Sequence, residues 1–300
     1  MDCKVWLIGN KGMLGTELSL LMEKSGVQFT GTDREVDITD VSALEKKARE
    51  LQMTWIVNCA AYTAVDKAED DIDACRSINT LGAANAALCA GKAGANFIHI
   101  STDYVFDGKG ISEGKTLRLY REDDEANPIG VYGLSKRDGE IAVTENNPHF
   151  FIIRTAWLYG KHGGNFVNTM LRLMNEKGEV KVVDDQRGGP TWAFDLASVI
   201  LTLIKTVEGG KNVPFGIYHF TDEGNISWFD FAKEIYRQGR ELGLIKKECD
   251  VKPCSSTEYP AKVKRPAFSA LDKSKIKTAL GIDIPVWDES LKEYLKICAR

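Results

Sequence analysis

The stretch V-W-L-I-G-N-K-G-M-L-G, Val5 to Gly15, sets the architecture. Val5–Ile8 is a short apolar run of the kind that forms a buried strand. Gly9, Gly12 and Gly15 follow at once, and Leu14, Leu18 and Leu21 recur at helical spacing through Met13–Glu23. A strand, a glycine turn and a helix open the unit that seats a dinucleotide pyrophosphate on a helix N-terminus. Glycine permits the tight turn, the approach of backbone N–H groups to phosphate and the close packing of helix on strand. The spacing is G-x-x-G-x-x-G, not G-x-G-x-x-G, so the position directly after the first strand carries the argument.

The same alternation continues outward. Strands are expected at Gln28–Thr32, Trp55–Asn58, Asn96–Ser101 and Phe150–Thr155. Helices are expected at Val41–Leu51, Asp71–Ala93 and Ser135–Glu145. Strands alternating with helices predict an α/β fold, a doubly wound parallel Rossmann sheet with right-handed crossovers. After about Tyr159 the rhythm loosens, and six of the eight prolines lie at or beyond Pro190. Residues 1–160 are therefore expected to form the dinucleotide-binding domain, with segments near 193–222 folding back onto it. Residues 161–300 are expected to form mainly a smaller, loop-rich substrate lobe.

Composition narrows the function. The 300 residues hold 39 Lys+Arg against 43 Asp+Glu, a net charge of −4, which argues against nucleic-acid polymers and anionic membranes as partners. No run of about 18 apolar residues is present to span a bilayer. Seven cysteines, an odd number with no C-x-x-C pair, fit neither a disulfide framework nor a zinc site. With no signal-peptide pattern at Met1–Gly9, a reducing cytoplasm is the expected compartment.

Three further motifs carry chemistry. Asp33 lies 18 residues after Gly15, where an acid can bind an adenine-ribose hydroxyl, and Arg34 beside it can hold a 2′-phosphate. That pair leaves NADH and NADPH both open. Asp37 and Ile38 follow, placed to close over the adenine. Tyr132 and Lys136 form Y-x-x-x-K, one helical turn apart. A tyrosine at its reference pKa of roughly 10 is a poor base, and lowering it by about three units takes about 4 kcal/mol. A lysine charge about 4 Å away, at an effective dielectric of about 20, supplies about that much. Finally, S-T-D-Y-V-F-D-G (Ser101–Gly108) ends a strand, and parallel sheets bind ligands at their carboxyl ends. The Thr102 hydroxyl there can reach a substrate carbonyl and the tyrosine.

These motifs, with N-C-A-A-Y-T-A-V-D-K-A-E (Asn58–Glu69), R-T-A-W-L-Y-G (Arg154–Gly160), D-Q-R-G-G-P-T (Asp185–Thr191) and R-P-A-F-S-A-L-D (Arg265–Asp272), run almost the whole length of the chain. In them the chain resembles the extended short-chain dehydrogenases/reductases, and most of all the dTDP-4-dehydrorhamnose reductase family. The resemblance implies reduction of a 4-keto sugar nucleotide by NADPH or NADH to give dTDP-L-rhamnose. It implies Tyr132 as proton donor, Lys136 on the nicotinamide ribose and Thr102 as their hydroxyl partner. It places Gly12, Met13 and Leu14 along the pyrophosphate, Asp33, Asp37 and Ile38 at the adenosine, and Ala60, Ala61, Tyr62 and Thr63 along the cofactor. It puts Thr102, Asp103 and Trp157 against the sugar nucleotide. It admits a homodimer and a Mg²⁺ site in which Glu17 takes part.

Two other readings compete. One is an epimerase or dehydratase that retains NAD; a dehydratase needs a second acid where Tyr104 stands. The other is a non-catalytic regulatory subunit, which has no need of an intact Thr/Tyr/Lys trio. Among weaker candidates, Gln186, Arg187 and Arg265 can reach the substrate or its diphosphate. His99, His149, His162 and His219 are scattered and read as structural.

Overall fold

The computed structural model describes residues 3–258 and 262–300. Its centre is a sheet of six strands: β1 (Lys4–Ile8), β2 (Gln28–Thr32), β3 (Trp55–Asn58), β4 (Asn96–Thr102), β5 (Phe150–Thr155) and β6 (Gly216–His219). They run in the order β6-β5-β4-β3-β1-β2, and every neighbouring pair is parallel. The strands are parallel because helical crossovers join them, and they read as unbroken apolar runs because both faces are covered. All four residues of β3 are buried.

One face is sealed by α1 (Met13–Lys24) and α6 (Ala193–Glu208). Leu14, Leu18 and Met22 of α1, at intervals of four, turn inward together with Leu196, Ile200 and Ile204 of α6. Each such side chain contributes about 1.5–3 kcal/mol on burial. The other face is sealed by α2 (Val41–Leu51) and α3 (Ala83–Ala93), whose small alanines let the helix lie close to the sheet. The helical region that leads into α3 starts at Ile72 and widens into a π-turn at Ser77–Gly82. Widened turns of this kind recur at functional sites.

A third core gathers α5 (Phe166–Glu176), α7 (Trp228–Glu241) and α8 (Trp287–Cys298) around Tyr159, Phe231 and Tyr294. There Glu179–Val183 pairs in parallel with Asp250–Cys254, a strand that the sequence did not suggest. Pro253 lacks a donor and is tolerated because this two-stranded pairing is all edge. Beyond Tyr159 the chain therefore returns to the central sheet twice, first through α6 and β6 and again through the helix Ser274–Leu280, before α8 closes the third core.

Ligand sites in open parallel sheets lie where the strand order reverses. Here that point is between β1 and β3, and Gly9 and Cys59 leave the sheet side by side: Cys59 donates its N–H to Ile8 O at 2.9 Å.

Candidate active site

Two concavities matter for the site, and one of them lies at the carboxyl edge of the sheet. The first is a cleft of about 490 Å³ at the β1/β3 reversal. Gly9, Gly12, Asp33, Arg34, Asp37, Ile38, Ala60 and Ala61 line it together. Its floor depends on two glycines. Gly9 has φ +78°, and a Cβ there would stand 2.7 Å from Ala60 N. A Cβ on Gly15 would stand 2.1 Å from Gly9 O, so any larger residue would push α1 off the loop. The first turn of α1 receives no side-chain cap, which leaves its N–H groups and dipole facing the cleft.

The other expected cofactor positions have divided duties. Leu14 and Ile38 bury their side chains in the two cores, and of the two Ile38 also lines the cleft. The Asp37 carboxylate accepts from the Thr39 N–H and hydroxyl, both at 2.8 Å, and is held below its ordinary pKa by them. Tyr62 is clamped by Asn79, whose Oδ1 accepts from Tyr62 N at 2.8 Å and whose Nδ2 donates to Tyr62 O at 3.0 Å. Met13 and Thr63 lie outside the lining of the cleft.

The expected Thr102/Tyr132/Lys136 trio comes from β4 and α4 (Val131–Asn146). The helix starts four residues before the expected Ser135, so Tyr132 and Lys136 both sit on it. Thr102, at the last position of β4, donates to Asp103 Oδ1 at 3.0 Å and caps the short turn Asp103–Val105. Burial pushes the Tyr132 phenol well above its ordinary value, and the Thr102 hydroxyl offsets part of that rise. Tyr104 meets Tyr132 edge to face, with ring centres 5.5 Å apart.

Lys136 departs from the simple expectation that it lowers the tyrosine's pKa. Its Nζ donates to Ile100 O at 2.6 Å and lies 3.2 Å from His99 Nε2. A buried amine needs an acceptor, and the end of β4 supplies one. Burial brings Lys136 down to about 8, against the opposing charge of Glu140. Asp103 is 2 % exposed and is pushed up to about 6 by burial, against the hydroxyls of Ser269 and Thr102.

The second concavity, of about 550 Å³, lies in the second lobe. Phe166, Met170 and Trp228 give it an apolar wall, and Gln186, Lys264 and Arg265 give it polar and cationic groups. Trp157 stacks on Trp228 with centres 3.6 Å apart and holds φ at +48°, a strained value for a bulky residue. Arg265 pairs with Asp66 at 3.2 Å, and Lys262 pairs with Asp70, tying this wall to the first lobe. Arg187 points elsewhere, donating to Asn225 O at 2.9 Å.

Glu17, the residue that the resemblance ties to a Mg²⁺ site, is half-buried on α1. The charged groups nearest it are His162 and Lys161, which oppose the rise in its pKa caused by burial. Among the described residues no group of three or more His, Cys, Asp or Glu could hold a metal. Nor is any helix of the described residues long and apolar enough to cross a membrane.

A family model described as the RmlD substrate binding domain matches residues 3–300. A dTDP-4-dehydrorhamnose reductase of Streptomyces griseus is 40% identical over 299 residues, covering 98% of this chain and 94% of that one. The chain belongs to the dTDP-4-dehydrorhamnose reductase family. A solved family member from Clostridium acetobutylicum superposes with a TM-score of 0.89 at 40% identity, covering 99% of this chain and 100% of that one. Another, from Bacillus anthracis and in complex with NADP, gives 0.89 at 36% identity with the same coverage.

Against this family frame, the sequence reading missed three contributors: Asn79, His99 and Glu69. Asn79 and His99 lie inside apolar helical and strand patterns, and a polar residue in such a setting was the available signal. Glu69 closes the quoted A-Y-T-A-V-D-K-A-E motif, but nothing local shows what it touches.

Proposed function

We propose that this protein reduces the 4-keto group of dTDP-4-dehydro-6-deoxy-L-mannose to give dTDP-L-rhamnose. The observation that carries the reading is the convergence of Thr102, Tyr132 and Lys136 on the carboxyl end of β4, where the Thr102 hydroxyl meets the Tyr132 phenol and Lys136 reaches Ile100 O at 2.6 Å. The cleft suits a nicotinamide dinucleotide: an uncapped helix end, a glycine floor and the Asp33–Arg34 pair stand in the order such a ligand needs. When bound, that cofactor supplies the hydride for the keto carbon.

The chain's own residues do the rest. The Thr102 hydroxyl and the Tyr132 phenol converge on the keto oxygen and stabilise the charge that develops there. Tyr132 delivers the proton. Its raised pKa keeps that proton in place at neutral pH, so the donor is always loaded. Lys136 orients the cofactor ribose and, once turned toward it, brings positive charge near Tyr132. Trp157 and Trp228 pack against the sugar nucleotide, and Lys264 and Arg265 meet its diphosphate. The seven cysteines are all free, which fits a cytoplasmic enzyme.

The test is oxidation of NADPH or NADH in the presence of dTDP-4-dehydro-6-deoxy-L-mannose, with the product identified by NMR. Stoichiometric formation of dTDP-L-rhamnose supports the reading. Turnover without net cofactor oxidation would point to an epimerase. No turnover with either cofactor would point to a binding subunit.

A further inference from the structure

We propose that His99, locked as its Nε2–H tautomer by Asn58, stabilises the neutral amine form of Lys136 while Lys136 rests against β4 in the cofactor-free protein. The argument runs through donors and acceptors. Asn58, at the end of β3, is 1 % exposed. Its Oδ1 accepts from the Ala60 N–H at 3.0 Å, so the side that faces His99 Nδ1 at 3.3 Å is its NH₂. An amide NH₂ only donates. His99 Nδ1 must therefore accept, and a neutral His99 carries its proton on Nε2. Turning the Asn58 amide over would set its NH₂ against the Ala60 N–H, donor against donor.

That Nε2–H points at Lys136 Nζ, 3.2 Å away. An ammonium has three donors and no acceptor, so it would meet the imidazole N–H donor to donor. An amine has a lone pair. It can accept from His99 Nε2–H while donating to Ile100 O at 2.6 Å. Only the amine satisfies Ala60, Asn58, His99, Lys136 and Ile100 together.

The surroundings agree. Glu140 faces Lys136 from the same helix, but its carboxylate is taken up by Arg154 of β5 at 2.9 and 2.7 Å. Cys59, after β3, and Cys75, in the helix Ile72–Arg76, face it as thiols that burial pushes upward, Cys59 to about 12. His99 faces it from β4, and burial drives it well below its ordinary value. Among the described residues that face Lys136, none is an unpaired anion. His99 is thus a positioning residue: it acts through Lys136, and it ties the charge of Lys136 to whether that side chain rests on β4 or turns to the cleft. The inference shares only Lys136 with the proposed reduction, and its test needs neither cofactor nor substrate.

The test uses the cofactor-free full chain. The chain has 4 histidines, so ¹⁵N-histidine NMR can follow each one. His99, assigned by its loss in His99→Phe, is expected to be neutral through the neutral range with its proton on Nε2. A proton on Nδ1, or a charged ring, overturns the proposal. The second measurement titrates ¹³Cε-labelled lysines, with Lys136 assigned by its loss in Lys136→Arg. If His99 donates to the amine, His99→Phe removes a partner of the neutral form and raises the Lys136 midpoint, by about one unit or more. If His99 instead accepts from an ammonium, the same change lowers the midpoint. A midpoint that falls or stays still overturns the proposal. Should His99→Phe fail to fold, the His99 tautomer, assigned then through His99→Gln, decides alone.

Discussion

The Glu69 carboxylate accepts a hydrogen bond at 2.8 Å from the backbone N–H of Val131, 62 positions along the chain. Val131 opens α4, and the N-cap Gly130 offers no side chain to its free N–H groups. Glu69 supplies both the acceptor and the negative charge that a helix N-terminus favours. The residue next to Val131 is Tyr132, so the cap orients the turn that carries the proposed proton donor. Glu69→Ala is expected to lower stability by about 1 kcal/mol and to reduce kcat. Glu69→Gln keeps an acceptor and is expected to retain most of both. Urea unfolding and steady-state kinetics check this; an alanine variant with unchanged unfolding and turnover would show that the contact does nothing.

Tyr132→Phe keeps the ring that meets Tyr104 but loses the proton. We expect dinucleotide binding to persist and kcat to fall by about 10²–10⁴-fold, the usual worth of a positioned general acid. Thr102→Val is expected to lower kcat less, because Tyr132 remains. Fluorescence titration of cofactor binding beside kinetics separates the two quantities. Near-normal turnover in Tyr132→Phe would remove Tyr132 from the chemistry.

Why the sequence showed some of this and not the rest follows from range. The six strands were legible because a parallel sheet covered on both faces writes itself as apolar runs such as Trp55–Asn58 and Phe150–Thr155. The glycine cleft was legible because its three glycines lie in one short stretch straight after β1: Gly15 answers to Gly9 and Asn10 of that stretch, and only the contact of Gly9 with Ala60 reaches across the fold. The start of α4 was not. Pro128, Gly130 and Gly133 argue against helix there, and the cap that overrides them comes from Glu69. The same holds for the resting place of Lys136 on Ile100 and His99, and for Arg265 on Asp66, contacts that exist only once the chain has folded. The strand Asp250–Cys254 was hidden by its own proline.

A buried acid pair links the lobes. Asp222, with no exposure, accepts from Trp192 N at 2.9 Å, and Asp195 of α6 accepts from the Ser290 hydroxyl at 2.6 Å. Burial, and then the charge of Asp195, hold Asp222 well above the ordinary value of 3.8. Burial raises Asp195 as well. The folded state therefore binds protons that the unfolded chain has released. This contribution is full below about pH 3.8 and is lost as pH rises through the raised folded values. Asp222→Asn mimics the protonated form and keeps an acceptor for Trp192. Its gain in stability over the parent chain is expected to grow from acid toward neutral pH, read by thermal unfolding across that range. A difference that does not change with pH would mean that the pair ionises freely.

Asp33 and Arg34, which stand together just beyond β2 and line the same cleft, are the residues we propose set cofactor preference. A carboxylate suits a free ribose 2′-hydroxyl, whereas a 2′-phosphate needs a cation to meet its charge. Arg34 is exposed and supplies that cation without burying it. Arg34→Ala is expected to weaken NADPH binding by about 10- to 100-fold, the usual worth of hydrogen bonds to a charged group, and to leave NADH nearly unchanged. Asp33→Ala is expected to do the opposite, weakening NADH while sparing or improving NADPH. Dissociation constants for both cofactors with both variants give four numbers. Equal losses for the two cofactors in Arg34→Ala would mark Arg34 as a solvated surface residue, and selectivity would then have to come from elsewhere in the adenosine end of the cleft.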